Sequence, residues 1–226
     1  MNPPDGPTGT RQLPRHPVLS DDVYEAVKAL IIDNELGPNT KLSIDGLSRE
    51  LAVSPTPMRE ALSRLEADGL VVKQPLRGYS TTPLLSHAEL TALYEFRLRL
   101  EPWAAHRAAE LATRDDRARL RAEVSAVDVA GSQNVTDALR AMTAHDARLH
   151  DDIARLSGNA VLREALARTH VHLHVFRLHF ERGIGSQALS EHREIVREIA
   201  AGRPDDAEEA MRRHLERALA RLEPMT

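Results

Sequence analysis

The sequence predicts a mainly α protein in two parts: a small unit of three short helices closed by a β-hairpin, then an all-α bundle of six helices. Three observations predict it. Residues 53–70, VSPTPMREALSRLEADGL, place Met58, Leu62 and Leu65 at i, i+4 and i+7 with Ala61 beside them, which is one apolar face of a helix. Leu70-Val71-Val72-Lys73 and Tyr79-Ser80-Thr81-Thr82 flank a Pro- and Gly-containing turn, the pattern of a hairpin with a basic tip. From Ser86 onward, apolar positions recur at helical spacing through six stretches joined by short breaks.

Taken in order, residues 1–19 hold five prolines and several glycines and are expected to form a flexible leader. Ser20 is expected to cap a helix whose inward positions are Val23, Val27, Leu30 and Ile31, ending near Gly37-Pro38. Asn39–Leu42 reads as a short extended piece. Ser43 caps a second helix with Ile44, Leu47 and Leu51 inward. The helix over 55–68 follows, with Ser54 or Thr56 as its cap, Pro57 in its first turn and Gly69 at its end. Helix, tight turn, helix and hairpin in this order make a winged helix-turn-helix over residues 20–83.

The third of these helices carries the chemistry. Ser54, Thr56, Arg59 and Ser63 lie on its outward face, where small hydroxyls and an arginine reach base edges in a DNA groove and helix N–H groups favour phosphate. Arg77 and Gly78 form the wing tip, set to meet the backbone or the minor groove. An ordinary amphipathic surface helix is the competing reading of residues 55–68 taken alone. Charge argues against nucleic acid. The chain carries −4 formally, and residues 20–83 hold seven basic against ten acidic side chains. Motif and hairpin together outweigh that balance, helped by Lys73, Arg11 and Arg15.

In the second part, Ser86 and Glu89 form a capping box opening a long helix to about Leu111. Further helices are expected from Thr113 to Val129, Val135 to Leu156, Ala160 to Arg182, Ser186 to Ala201 and Pro204 to Leu222. The chain has no Cys, which rules out a disulfide framework and fits a reducing cytoplasm. It has no apolar run of membrane-spanning length and no signal-peptide core at its N-terminus.

Eleven histidines need an account. His16, His87 and His106 read as surface side chains. His170, His172, His174 and His179 spread around one helix and suit core or cavity lining. Asp146 and His150 instead share a stripe with Met142, Leu149 and Ile153. His192 shares one with Ile195, Val196 and Ile199, and His214 shares one with Met211 and Ala218. One carboxylate and three imidazoles therefore face a common core, where a buried carboxylate demands a partner. Periodicity leaves two readings open, a metal site and a hydrogen-bonded Asp–His cluster.

Two resemblances sharpen these expectations. "VSPTPMREALSRLEADGLV…PLRGYS" closely resembles the "VSRTPVREAL.RLEAEGLV…P.RG..V" of GntR-family bacterial repressors, covering about residues 20–83. "HDARLHDDIARLSGN" and "LSEHREIVREIAAGRPDDAEEAMRRHL" are similar to the FCD effector domain that accompanies the FadR subfamily, covering residues 86–222. The resemblance implies a dimeric, DNA-binding repressor of a palindromic operator in the cytoplasm. It also implies a divalent metal on Asp146, His150, His192 and His214, with zinc favoured over nickel or manganese. A small carboxylate effector would fill the open metal positions, and six helices would suit the VanR-like branch. "YEFRLRLEPWAAHRAAE" resembles the family's R..LE segment and offers Arg97 to an anionic effector, with a buried Arg97–Glu101 pair as the competing reading. Pro55 departs from the family's arginine, so base discrimination at that step is expected to be weak. A metal-dependent hydrolase or oxygenase built on the bundle is the rival function.

Overall fold

The computed structural model describes residues 17–127, 135–179 and 186–222. The leader up to His16, with Arg11 and Arg15, lies outside the described residues, as do the break at 131–134 and the stop at 183–185.

The first part contains α1 (Pro17–Ile32), β1 (Lys41–Leu42), α2 (Ile44–Glu50), α3 (Pro55–Ala67), β2 (Val71–Gln74) and β3 (Gly78–Thr81). α1 starts three residues before the expected cap. Pro17 suits a first helical position, and Ser20 is buried inside the helix. It also stops earlier than expected, because Asn34 turns left-handed at φ 61° and the Leu36 N–H closes onto the Leu30 carbonyl at 2.9 Å. The extended piece at Lys41 becomes a third strand. β1 and β2 both pair antiparallel with β3, with Leu42 opposite Tyr79 and Val72 opposite Ser80.

The helix-turn-helix forms as the caps dictate. Ser43 accepts from the Gly46 N–H at 3.1 Å to start α2. Ala52 takes the left-handed turn at φ 53°, and the Val53 N–H returns to the Ser48 carbonyl at 2.9 Å. Met58, Ala61, Leu62 and Leu65 of α3 are all fully buried, in one core with Val23, Val27 and Ile31 of α1 and Leu42 of β1. Gly69, at φ 71°, ends the helix where the Leu70 N–H bonds the Leu65 carbonyl.

The second part contains α4 (His87–Leu111), α5 (Arg114–Ala126), α6 (Val135–Leu156), α7 (Ala160–Ala167), α8 (Val171–His179), α9 (Ser186–Ala201) and α10 (Pro204–Leu222). Capping boxes start α4 at Ser86/Glu89 and α5 at Thr113/Asp116. α10 packs along α4, and alanines on both helices (Ala104, Ala105, Ala108, Ala207, Ala210) sit in their shared core. Small side chains let the two backbones approach closely. No described helix is long and apolar enough to cross a membrane.

One expectation is corrected. Where a single helix is expected from Ala160 to Arg182, the described residues up to His179 form two, so the described residues make seven helices in this part instead of six. The Thr169 hydroxyl takes the Leu166 carbonyl at 2.6 Å, a bond that competes with helix continuation, and His170 then turns left-handed at φ 46°. The helix count that pointed to the VanR-like branch therefore has no footing.

Candidate metal centre and nucleic-acid interface

α3 presents Ser54, Thr56 and Arg59 to solvent, and the hairpin presents Arg77 and Gly78. Ser54 holds the N-cap position, yet its hydroxyl caps nothing. A cap oxygen reaches the N–H of the second or third helical residue. Here those residues are Thr56 and Pro57, and proline has no N–H. The prolines at 55 and 57 also remove two of the backbone donors expected to meet phosphate, so side chains must supply more of the contact. Arg59 has no hydrogen bond or ion pair to any described residue. Arg64, by contrast, is structural: it bonds Asp21 at 2.5 Å and lies over the Tyr24 ring, tying α3 to α1. At the wing tip Leu76 is left-handed at φ 63° and wholly exposed.

The four residues singled out in the bundle converge. Asp146 and His150 stand one turn apart on α6, His192 comes from α9 and His214 from α10, and one ligand atom from each lies within 4.8 Å of the others. Asp146 Oδ1 is 3.3 Å from His192 Nε2 and 3.6 Å from His150 Nε2. Ligands about 2.1 Å from an ion stand roughly 3–4 Å apart, so the spacing suits one divalent ion.

Every ligand is held from behind, and the partners fix the tautomers. His150 Nδ1 bonds Glu101 Oε2, and His214 Nδ1 lies 2.9 Å from Glu191 Oε2. A carboxylate only accepts, so both Nδ1 atoms carry the proton and both Nε2 atoms point lone pairs inward. His192 reaches the same state through a relay. Its Nδ1 lies 3.0 Å from His145 Nε2, and His145 Nδ1 lies 3.0 Å from Glu123 Oε1. Glu123 accepts from His145, His145 accepts from His192, and the His192 Nε2 lone pair faces the cluster. The Nε2 atoms of His150 and His192 are buried without a hydrogen-bond partner. A lone pair buried this way is costly unless an electrophile meets it.

The electrostatics agree. Burial pushes the Asp146 carboxyl up, but the His150 and His172 imidazoles beside it hold it well below the usual range. Burial lowers His150 and His145, and takes His214 down to about 3, so these rings are neutral and able to ligate near neutral pH. Burial raises Glu191, yet the His214 and Arg221 bonds bring it down to about 2.

Arg97 is not placed for an effector. It is 2% exposed and donates to Glu101 Oε1 from Nε at 2.6 Å, so the buried-pair reading is the observed one. Its cation holds Glu101 ionised behind His150. A cavity of about 240 Å³ opens beside the cluster, lined by Glu101, His150, Arg163, His170, Val171 and His172. Periodicity missed His145, Glu123, Glu191 and His172. His145 shares the inward stripe of Met142 and Leu149, a signal that was there to find. The two glutamates gave no such signal. His172, read as core or cavity lining, does line the cavity, but its bond to Asp146 depended on the unforeseen corner at His170.

The FCD domain family matches residues 92–217, and bacterial regulatory proteins of the gntR family match residues 19–80. The HTH-type transcriptional regulator YdhC of Bacillus subtilis is 24% identical, with 84% of this chain and 85% of that protein covered. A protein named as the candidate regulator of the L-lactate dehydrogenase operon of Escherichia coli K12 is 27% identical, with 90% and 85% covered. Among solved structures, a candidate GntR transcriptional regulator from Rhodococcus sp. RHA1 superposes with a TM-score of 0.70 at 22% identity, with 91% and 97% covered.

Proposed function

The chain belongs to the FCD-domain regulators of the gntR family, and from that premise we propose that it is a metal-dependent, effector-controlled repressor acting as a homodimer on a palindromic operator. The coarser part stands on the family: this is a transcriptional regulator and not an enzyme, and the hydrolase or oxygenase alternative has no support among its relatives.

One observation carries the finer part. Two buried imidazole nitrogens, on His150 and His192, aim unshared lone pairs at the Asp146 carboxylate while their other nitrogens are tied. A divalent ion on Asp146, His150, His192 and His214 accounts for both nitrogens at once. Three nitrogens and one oxygen suit zinc first, then nickel or manganese. When bound, the ion supplies positive charge to which a carboxylate can dock. The adjoining cavity is small, so the effector is a small carboxylate, in keeping with the lactate operon named for the Escherichia coli relative. Arg163, which is paired to Asp151, and His170 and His172 take the place of Arg97 as the donors facing it.

Ser54, Thr56 and Arg59 read the operator, with Arg77 and Gly78 at the backbone or minor groove. A single winged helix reads too few bases, so two copies bind a two-fold site. Selection from random DNA followed by gel-shift titration tests this: a palindrome should emerge, and zinc with L-lactate or a related small carboxylate should release it. A non-palindromic site bound by one chain would sink the reading.

A further inference from the structure

α8 lies between the metal centre and the winged helix and touches both. On one side, His172 Nδ1 stands 2.5 Å from Asp146 Oδ2, while Oδ1 of the same carboxylate faces His150 and His192. The carboxylate only accepts, so His172 donates, and Asp146 is held from behind as the three imidazoles are. On the other side, α8 grips the DNA-reading part. Leu173 packs against the core formed by α1 and α3. A Cβ built at Gly69, where α3 ends, would stand 3.3 Å from His174 Nε2. Arg177 is buried and donates to the Thr82 hydroxyl at 2.9 Å and the Thr82 carbonyl at 2.7 Å. At the corner before α8, His170 lies 3.8 Å from Asp68, which also accepts from the Tyr24 hydroxyl of α1.

Helical geometry makes this a two-sided contact. At about 100° per residue, Leu173, His174 and Arg177 lie roughly 100–200° around the helix from His172. A short rigid helix held on opposite faces cannot shift at one without shifting at the other. α6 also reaches the winged helix, through a half-exposed Arg140 bonded to the largely buried carboxylate of Asp33, but that contact involves none of the metal-centre side chains.

We infer that His172 and α8 couple occupancy of the metal centre to the position of the recognition helix. An ion held by Asp146 and the three imidazoles would fix the carboxylate that accepts from His172, and α8 would carry that constraint to Gly69 and Thr82. The inference rests on the metal centre proposed above and adds how that site is read out. By linkage the coupling is reciprocal: DNA that fixes α3 must alter metal affinity by the same factor.

Hydrogen exchange on the untagged full-length protein, with and without Zn²⁺ alone, tests it, alongside metal analysis of each sample. In wild type, zinc should change exchange by about fivefold or more, the lower end of measured couplings, in residues 171–179, 64–70 and 80–82. His172→Ala should still take up zinc and respond in α6, α9 and α10, yet lose the response at 64–70 and 80–82. His172→Gln, which keeps a donor, should retain part of it. Thr82→Ala and Arg177→Ala should keep the response in α8 and weaken it at 80–82. Zinc-loaded wild type whose response stops at the ligand helices would overturn the coupling, as would His172→Ala responding like wild type. Wild type that takes up no zinc would instead overturn the metal centre, and the coupling with it.

Discussion

The two parts of the molecule bury different things. On α3 itself the enclosed side chains are Met58, Ala61, Leu62 and Leu65, none of which can ionise. At the centre of the bundle the enclosed side chains include Arg97, Glu101, His145, His150, His192 and His214. An apolar core gains from each methylene removed from water and mainly fixes shape. A core of ionisable groups is costly to form and stands only where each group is partnered. In the bundle nearly every such atom is partnered; among the exceptions, which also include His106 Nδ1 and Arg221 Nε, the Nε2 atoms of His150 and His192 face one point. The winged helix keeps the free arginines Arg59 and Arg77 outside, around an apolar core that holds α3 still. The bundle keeps its ionisable groups inside, and the proposed site lies in its core.

That contrast can be broken first at its most expensive point. Glu101 is the acceptor for both Arg97 and His150. Glu101→Ala strands a buried guanidinium and should cost about 3–5 kcal/mol of bundle stability in urea denaturation. Replacing both partners, as Arg97→Met with Glu101→Leu, should cost clearly less than Glu101→Ala. Equal costs would mean that the charges do not depend on each other.

The matching lesion in the apolar core is Leu62→Ala. It should cost about 2–5 kcal/mol through lost burial and a residual cavity. Because Leu62 sits in the winged-helix core and the proposed ligands in the bundle, zinc uptake should be unchanged while operator binding falls. On the outer surface of the same helix the effect is smaller. Arg59→Ala should weaken operator binding by about 1–3 kcal/mol in gel-shift titration and leave stability alone. Wild-type affinity in that variant would remove Arg59 from the interface.

The gentlest contrast is pH, applied to chelated protein. His214 is depressed in the fold from 6.5 to about 3, so the unfolded chain takes up its proton first. Its contribution is complete above 6.5 and is lost as pH falls from 6.5 toward 3. Glu191, lowered from 4.5 to about 2, adds a second loss from 4.5 downward. In the winged helix, burial and the Asp68 bond raise Tyr24 above its ordinary 10, so its contribution is complete below 10 and is lost as pH rises beyond it. Segment-resolved hydrogen exchange should show acid loosening the bundle before the winged helix, and alkali the reverse.

How much of this the sequence disclosed follows from the same physics. The α3 stripe and the capping boxes were legible because periodicity and caps are local. So was the convergence of Asp146, His150, His192 and His214, because an inward histidine breaks an otherwise apolar stripe. Nothing local announced the corner at Thr169-His170, which has neither glycine nor proline, and with it went the helix count and the part played by His172. Glu101 was foreseen only as a partner for Arg97, and Glu123 and Glu191 not at all, because an acid on a helix looks outward until a partner is seen behind it. Ser54 was one of two cap candidates and holds the N-cap position, but only the pair of prolines at 55 and 57 explains why its hydroxyl caps nothing.

The central claim is that the orphaned nitrogens mark a metal centre, and metal content measures it most directly. Untagged wild type reconstituted with zinc and desalted should hold about one ion per chain, and Asp146→Ala, His192→Ala and His214→Ala should hold far less while staying folded. Equal and negligible zinc in wild type and Asp146→Ala would contradict it, leaving a hydrogen-bonded histidine core.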